Sequence, residues 1–180
     1  MGGGLQCEAW LAEGCIAFDR SKGDRMKGLQ RGLKLSGIQA GIAGEYLVAA
    51  ELSRRGYVAS VTLRNTRGID ILASNKDATK SVGIQVKTSQ RSRAGWVMNK
   101  KAEEDLAENL FYVFVCLPPG SAASFHIVPR RDVAKFVRES HARWLATSSR
   151  RGEAHRDNPM RLFQDRESKY KDRWDLLGLA

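Results

Sequence analysis

The sequence predicts a mixed α/β domain built on one small sheet flanked by helices. Three observations predict it. Segments with helical and strand-like patterning follow one another as helix, three strands, helix, two strands, helix, an order that favours a single sheet covered by helices. The longest uncharged apolar run, residues 110–117, has strand length and falls well short of the roughly 18 apolar residues of a membrane span. A chain of 180 residues with 42% hydrophobic and 28% charged side chains can build a real core, which excludes wholesale disorder and a collagen-like chain.

Residues 1–25 hold five glycines and no sustained period, so they are expected to form a weakly ordered extension ahead of a second methionine, Met26. No basic region followed by an apolar one marks a secretory signal there. Residues 36–55 form the strongest helical segment, with Ser36 as N-cap and Gly56 just past the end. At about 100° per residue, Ile38, Ile42, Glu45, Ala49 and Leu52 share one narrow arc, which puts Glu45 inside an apolar stripe. An acid there is costly unless it has a partner or a metal.

Residues 57–63 alternate as a strand, 65–68 read as a turn, and 69–73 resume as a second strand. Residues 75–80 make a polar hairpin loop before a third strand at 82–88. Residues 96–101 suit a loop or a short strand, and 102–110 a short acidic amphipathic helix. The apolar run 110–117 reads as a buried strand, ended by Pro118-Pro119-Gly120, and 124–128 as another. Pro129 then opens a helix over about 131–144, with Val133, Phe136, Val137 and Trp144 on its apolar side. Beyond residue 147 the chain is polar with scattered anchors (Met160, Leu162, Phe163, Trp174, Leu176, Leu177), as expected of a helical appendage packing back on the core.

Three cysteines without a C-x-x-C pair argue against a disulfide scaffold or a zinc site, so a reduced, cytoplasmic protein is the expectation, with Cys116 a buried thiol. The net charge of +10 argues for a polyanionic partner. That charge is concentrated. Between Ser53 and Lys101 eleven cations face only Asp70 and Asp77, a net +9, whereas thirteen cations and eight acids are mixed from Arg130 onward. Nucleotide binding is excluded, since the Gly37, Gly41, Gly44 series matches neither a dinucleotide nor a P-loop fingerprint. His126 reads as a strand residue, and His141 and His155 have no assigned role.

In a strand, side chains at i and i+2 share a face, roughly 6–7 Å apart. Gln85 and Lys87 therefore stand together, opposite Ile84 and Val86, and Asp70 points away from Ile69 and Ile71. If the two strands pair, Asp70, Gln85 and Lys87 converge, and the helix carrying Glu45 completes the patch. Two carboxylates and an amide oxygen are hard ligands suited to Mg²⁺, with Mn²⁺ as the alternative. A lysine beside them suits the attacking water and the charge that builds on a phosphate. The bland alternatives are an edge-strand charge for Asp70, a solvated lysine for Lys87, and a local pair between Glu45 and Arg54 or Arg55.

The series Gly44-Glu45, Gly68-Ile69-Asp70-Ile71-Leu72 and Ile84-Gln85-Val86-Lys87-Thr88 resembles the PD-(D/E)xK nuclease superfamily. The glutamine of the last motif is similar to the Mrr-like restriction endonuclease branch, where Q-x-K replaces E-x-K. Archaeal-type Holliday junction resolvases share the helix-Glu, Asp, E-x-K arrangement. The resemblance covers residues 44–88, about a quarter of the chain. It implies a restriction-endonuclease-like core within residues 26–146, followed by the appendage at 147–180. It also implies metal binding by Asp70, Gln85 and the Val86 carbonyl with Glu45 assisting, and Lys87 in the catalytic lysine's role. Two departures stand out: Ile69 replaces the name-giving proline, and Gln85 removes one negative charge from the metal site.

The function so implied is Mg²⁺-dependent endonucleolytic hydrolysis of DNA, with phosphate contacts from Arg67, Thr88, Ser89, Arg91, Arg93, Lys100 and Lys101. The alternative is a nucleic-acid-binding protein on a nuclease fold that has lost turnover, and a weaker third reading is a basic RNA-binding or ribosome-associated protein. DNA is the expected partner, RNA the alternative, a membrane is not, and a homodimer is compatible with this reading without following from it. Because a +9 segment displaces counterions from several phosphates, DNA affinity is expected to fall steeply between low and physiological salt. Filter-binding isotherms over a salt series check this, and a flat log–log plot refutes it.

Overall fold

A computed structural model describes residues 33–63, 68–91, 95–104, 108–148 and 152–180; the glycine-rich 1–25 segment lies outside the described residues. Residues from Gly32 onward belong to one unit. Helix α1 (Gly37–Arg54) starts at Ser36 through a reciprocal cap. The Ser36 hydroxyl accepts from the Gln39 amide at 3.3 Å, and the Gln39 side-chain oxygen accepts from the Ser36 amide at 3.1 Å. Just ahead, the Gln90 carboxamide clamps Leu35, accepting from its N–H and donating to its C=O, each at 2.8 Å. The helix ends in Gly56, whose φ of +82° takes the left-handed turn.

The strands are β1 (Val58–Val61), β2 (Ile71–Ser74), β3 (Ser81–Ser89), β4 (Gly95–Asn99), β5 (Leu110–Cys116), β6 (Ser124–Pro129) and β7 (Met160–Gln164), with α2 (Arg130–Leu145) between the last two. Five strands form one mixed sheet in the order β1-β2-β3-β5-β6, antiparallel throughout except for the parallel β3–β5 pair. β4 and β7 form a separate antiparallel ribbon. Among the described residues the chain is thus mixed α/β, with a five-stranded mixed sheet and two α-helices, and no described helix is long and apolar enough to cross a membrane.

Alternation along the strands divides the core in two. Val82, Ile84 and Val86 of β3 and Phe111, Val113 and Val115 of β5 meet Val48 and Leu52 of α1 on one face. Tyr112, Phe114 and Cys116 turn to the other, where Val133 and Val137 of α2 and Trp96, Met98 and Phe163 of the ribbon cover them. Phe114 stacks on Phe163 with ring centroids 4.4 Å apart. Cys116 is the buried thiol expected of it, and burial pushes its pKa above the ordinary value. His126 is a strand residue whose Nδ1 lies 2.7 Å from the Asp165 carboxylate, both side chains being buried.

Three expectations need correction. The described part of 102–110 is not a helix: Lys100–Glu103 form a single 3₁₀ turn and 108–109 a turn. Its carbonyls have other partners, since Arg138 donates to the Glu103 carbonyl at 2.9 Å and Arg130 to that of Glu104 at 3.4 Å. The region after residue 147 is not a helical appendage. β7 alternates buried Arg161 and Phe163 with exposed Met160 and Leu162, and the only later helical turn described is the 3₁₀ stretch Trp174–Leu177. This tail lies along β6 through Tyr170 and Asp172, then delivers Trp174, Leu177 and Leu179 to the α1-side core.

The third correction concerns the phase of α1. Its buried stripe is Ala40, Gly44, Val48 and Leu52, so Glu45 flanks the stripe and Ile38 is 70% exposed. Gly44 sets that phase. A Cβ at this position would lie 1.9 Å from Thr88 Oγ1 and 3.1 Å from Thr88 Cβ, so the helix approaches β3 more closely than any side chain allows. Thr88 Oγ1 is buried there with no hydrogen-bond partner.

Gly44→Ala is therefore expected to destabilise by about 1–3 kcal/mol, overpacking outweighing the helix propensity gained. Thr88→Ala is expected to be near neutral, because it deletes an unsatisfied hydroxyl, and to recover part of the loss in the double variant. Urea unfolding of the four proteins measures both; additive effects would contradict the contact.

Candidate functional site

The site begins where β2 leaves β3. Ile71 pairs with Ile84 in the ladder, and the Asp70 N–H also donates to the Ile84 carbonyl at 2.8 Å. Two residues thus address one, the arrangement of a bulge, which turns a side chain off strict alternation. The β1 side holds the same point, since the Thr62 N–H donates to the Asp70 carbonyl at 2.9 Å and its hydroxyl to that of Ile69 at 2.7 Å. So fixed, the Asp70 carboxylate accepts from the Val86 N–H at 2.7 Å. In an extended strand the N–H and C=O of one residue point to the same side. The Val86 carbonyl therefore faces the same opening as the Asp70 carboxylate.

Glu45 joins Asp70 across this opening. Both line a groove of about 320 Å³ together with Gly37, Gly41, Ile42 and Thr62, among others. The close approach at Gly44 seats the helix low on the sheet, and the next residue, Glu45, is half-buried at the groove. Arg54 and Arg55, the alternative partners considered for Glu45, bind Glu51 instead.

Gln85 and Lys87 do not line that groove. They lie on the face of β3 opposite Val86, with Gln85 in register with Tyr112 and Lys87 with Phe114. Lys87 lines a second groove, about 220 Å³, with Thr88, Ser89, Arg91, Gly95, Trp96 and Val97. The structure thus joins Glu45, Asp70 and Val86 and sets Gln85 and Lys87 on the adjoining face. Asp70 bridges the two electrostatically: burial raises the Tyr112 pKa on that second face, Arg130 counteracts it, and Asp70 adds to it. Among the described residues no cluster of three or more His, Cys, Asp or Glu side chains is placed to hold a metal. A metal here would need the Gln85 amide or the Val86 carbonyl beside the two carboxylates, all hard oxygen donors.

Of the residues assigned to phosphate, Arg67 and Arg93 lie outside the described residues. Thr88 is corrected: its hydroxyl is sealed beneath Gly44 and does not face a ligand. The Ser89 hydroxyl accepts from the Arg91 N–H at 3.3 Å, and Arg91 is exposed. Lys101 is exposed, and Lys100 lies 3.6 Å from Asp157. Sequence reasoning missed Arg130 and Gln90, whose placement depends on contacts with distant segments.

The Asp70–Val86 hydrogen bond has a direct test. Asp70→Ala is expected to speed exchange of the Val86 amide roughly ten- to hundredfold, as loss of a bond to a charged acceptor implies, while neighbouring β3 amides keep their protection. Asp70→Asn, which retains an acceptor, should leave it slow. Equal exchange in all three proteins by NMR would show that the carboxylate does not hold that amide.

No protein family, no curated protein and no solved structure matches this chain.

Proposed function

We propose that this chain is a metal-dependent DNA endonuclease that hydrolyses phosphodiester bonds on a restriction-endonuclease-like core of PD-(D/E)xK type. One observation carries the reading: the Asp70 carboxylate is held against the Val86 amide where β2 and β3 part, with Glu45 in the same groove. The strand order supports it, an antiparallel β1-β2-β3 meander with β5 parallel to β3 following a first helix that supplies an acid.

Glu45 and Asp70, with the Val86 carbonyl, are the groups that would hold Mg²⁺ or Mn²⁺, and the Gln85 amide would join them by reaching round the edge of β3 from its other face. When bound, such an ion neutralises charge on a phosphate and lowers the pKa of its water. The chain's own residues do the rest. Lys87 has no ion-pair partner among the described residues, so its ammonium is available to charge developing on a phosphate. Arg91 and Lys101 extend the cationic surface along which a backbone can track. Gln85 favours a second reading, a DNA- or RNA-binding protein on the nuclease fold without turnover, because two carboxylates attract a divalent cation less strongly than three.

Nicking of supercoiled plasmid over Mg²⁺ and Mn²⁺ series decides between them. Asp70→Asn and Lys87→Ala are expected to lower nicking by at least about a hundredfold, the scale of losing an electrostatic catalyst, with DNA binding retained. Gln85→Glu is expected to preserve activity or lower the metal requirement. An inactive wild type whose Gln85→Glu variant nicks would establish the second reading. Normal nicking by the Asp70 and Lys87 variants would refute the assignment altogether.

A further inference from the structure

Arg130 is a buried cation that the site described above does not use. It opens α2 directly after Pro129, which makes no side-chain cap, and is 8% exposed. Its guanidinium lies over the Tyr112 ring, 5.5 Å from the centroid, and among the described residues its Nε makes one long bond, 3.4 Å, to the Glu104 carbonyl. Among the described residues no carboxylate comes within 4.0 Å of it. A guanidinium has five N–H donors, and burying one without a counterion is costly unless something else supplies the acceptors.

The direction of the side chain says where that acceptor would sit. Nη1 is 4.0 Å from the position a Cβ would take on Gly68, two residues before Asp70. Gly68 itself carries no side chain toward the guanidinium. Tyr112, beneath the guanidinium, is in register with Gln85, so Gln85, Tyr112 and Arg130 succeed one another across β3, β5 and the start of α2, with Asp70 just ahead of β2 on the other flank of β3. α2 begins at the same end without a side-chain cap, and the first-turn N–H groups of a helix lack intrahelical partners. The acid of that turn, Asp132, accepts from the Tyr170 hydroxyl at 3.1 Å and lies 3.9 Å from the Nε of its neighbour Arg131, so neither is directed at the Arg130 guanidinium.

We propose that Arg130 is a phosphate-binding residue, its guanidinium taking the oxygens of a phosphate ester beside Asp70. The ligand class is a phosphate ester; that it is a DNA backbone rests on the nuclease reading. The planar fork matches two phosphate oxygens at once, which a lysine cannot do.

Inorganic phosphate titrated into the full chain, with the arginine Nε–H resonances followed by NMR, tests the proposal without reference to cleavage. The Arg130 resonance is expected to move saturably. If other arginines move and Arg130 does not, the proposal is overturned, whatever the nicking assay gives. Arg130→Met keeps the stem over Tyr112. It is expected to weaken DNA binding about tenfold and to reduce the log–log salt slope by about one, as loss of one phosphate contact implies. Unchanged affinity and slope would overturn the proposal. Should the Met variant melt well below wild type, Arg130→Lys retains the charge and is expected to fold yet bind DNA severalfold more weakly, through loss of the fork; wild-type affinity there would count equally against it. A phosphate response at Arg130 in a protein that never nicks DNA upholds the proposal while the nuclease reading falls.

Discussion

β5 is apolar on both faces, and the architecture follows from covering it. Leu110–Cys116 carries no charge, and Val113, Phe114 and Val115 are fully buried. Each such side chain contributes about 1.5–3 kcal/mol when taken from water. One helix covers only one face, so α1 packs on Val113 and Val115 while α2 and the β4–β7 ribbon cover Tyr112 and Phe114. Because β5 is parallel to β3, the chain between them must cross over the sheet, and that crossover is where β4 and the Lys100–Glu103 turn are found. The tail completes both layers. Phe163 serves one face and Trp174 the other, so the segment after residue 147 is part of the core rather than an attachment to it.

The candidate site sits where this two-sided covering ends. β2 follows β3 only as far as Ile84, which leaves the Val86 amide to be satisfied by a side chain, and Asp70 supplies the acceptor. A buried or half-buried N–H requires such a partner, so the acid has a structural reason for its position as well as the proposed chemical one. Gly44 is the complementary device. By removing a Cβ over Thr88 it lowers α1 onto β3, and the neighbouring Glu45 comes to the same groove as Asp70.

The cationic segment divides into two populations. Arg54 and Arg55 bind Glu51, and the Arg55 guanidinium also lies 4.4 Å from the Trp174 ring centroid, joining α1 to the tail. Lys80 donates to the carbonyl of the last residue at 2.6 Å, and Lys100 lies beside Asp157. Lys87, Arg91 and Lys101 have no such pairing among the described residues. The contrast matters for binding, because a charge already paired contributes less to a phosphate contact than one that is not.

What the sequence determined by itself was local. Ser36 and Gly56 mark the ends of α1 because capping depends on residues a few positions apart, and the strands at 110–116 and 124–129 are legible because alternation and apolar runs are properties of the chain itself. The acid at 70 and the Q-x-K series were visible for the same reason. The tertiary structure decided everything that depends on an opposing surface. The stretch 102–104 does not continue as an α-helix, because arginines from α2 bind the Glu103 and Glu104 carbonyls, and β7 exists because β4 is there to pair with it. Asp70 turns toward the Val86 N–H through pairing on two flanks, a placement that strand alternation alone does not give. Arg130 shows no distinguishing pattern in sequence. Its burial arises from Tyr112, Glu104 and Gly68, between 18 and 62 positions away, and only folding brings such distances within reach of one side chain.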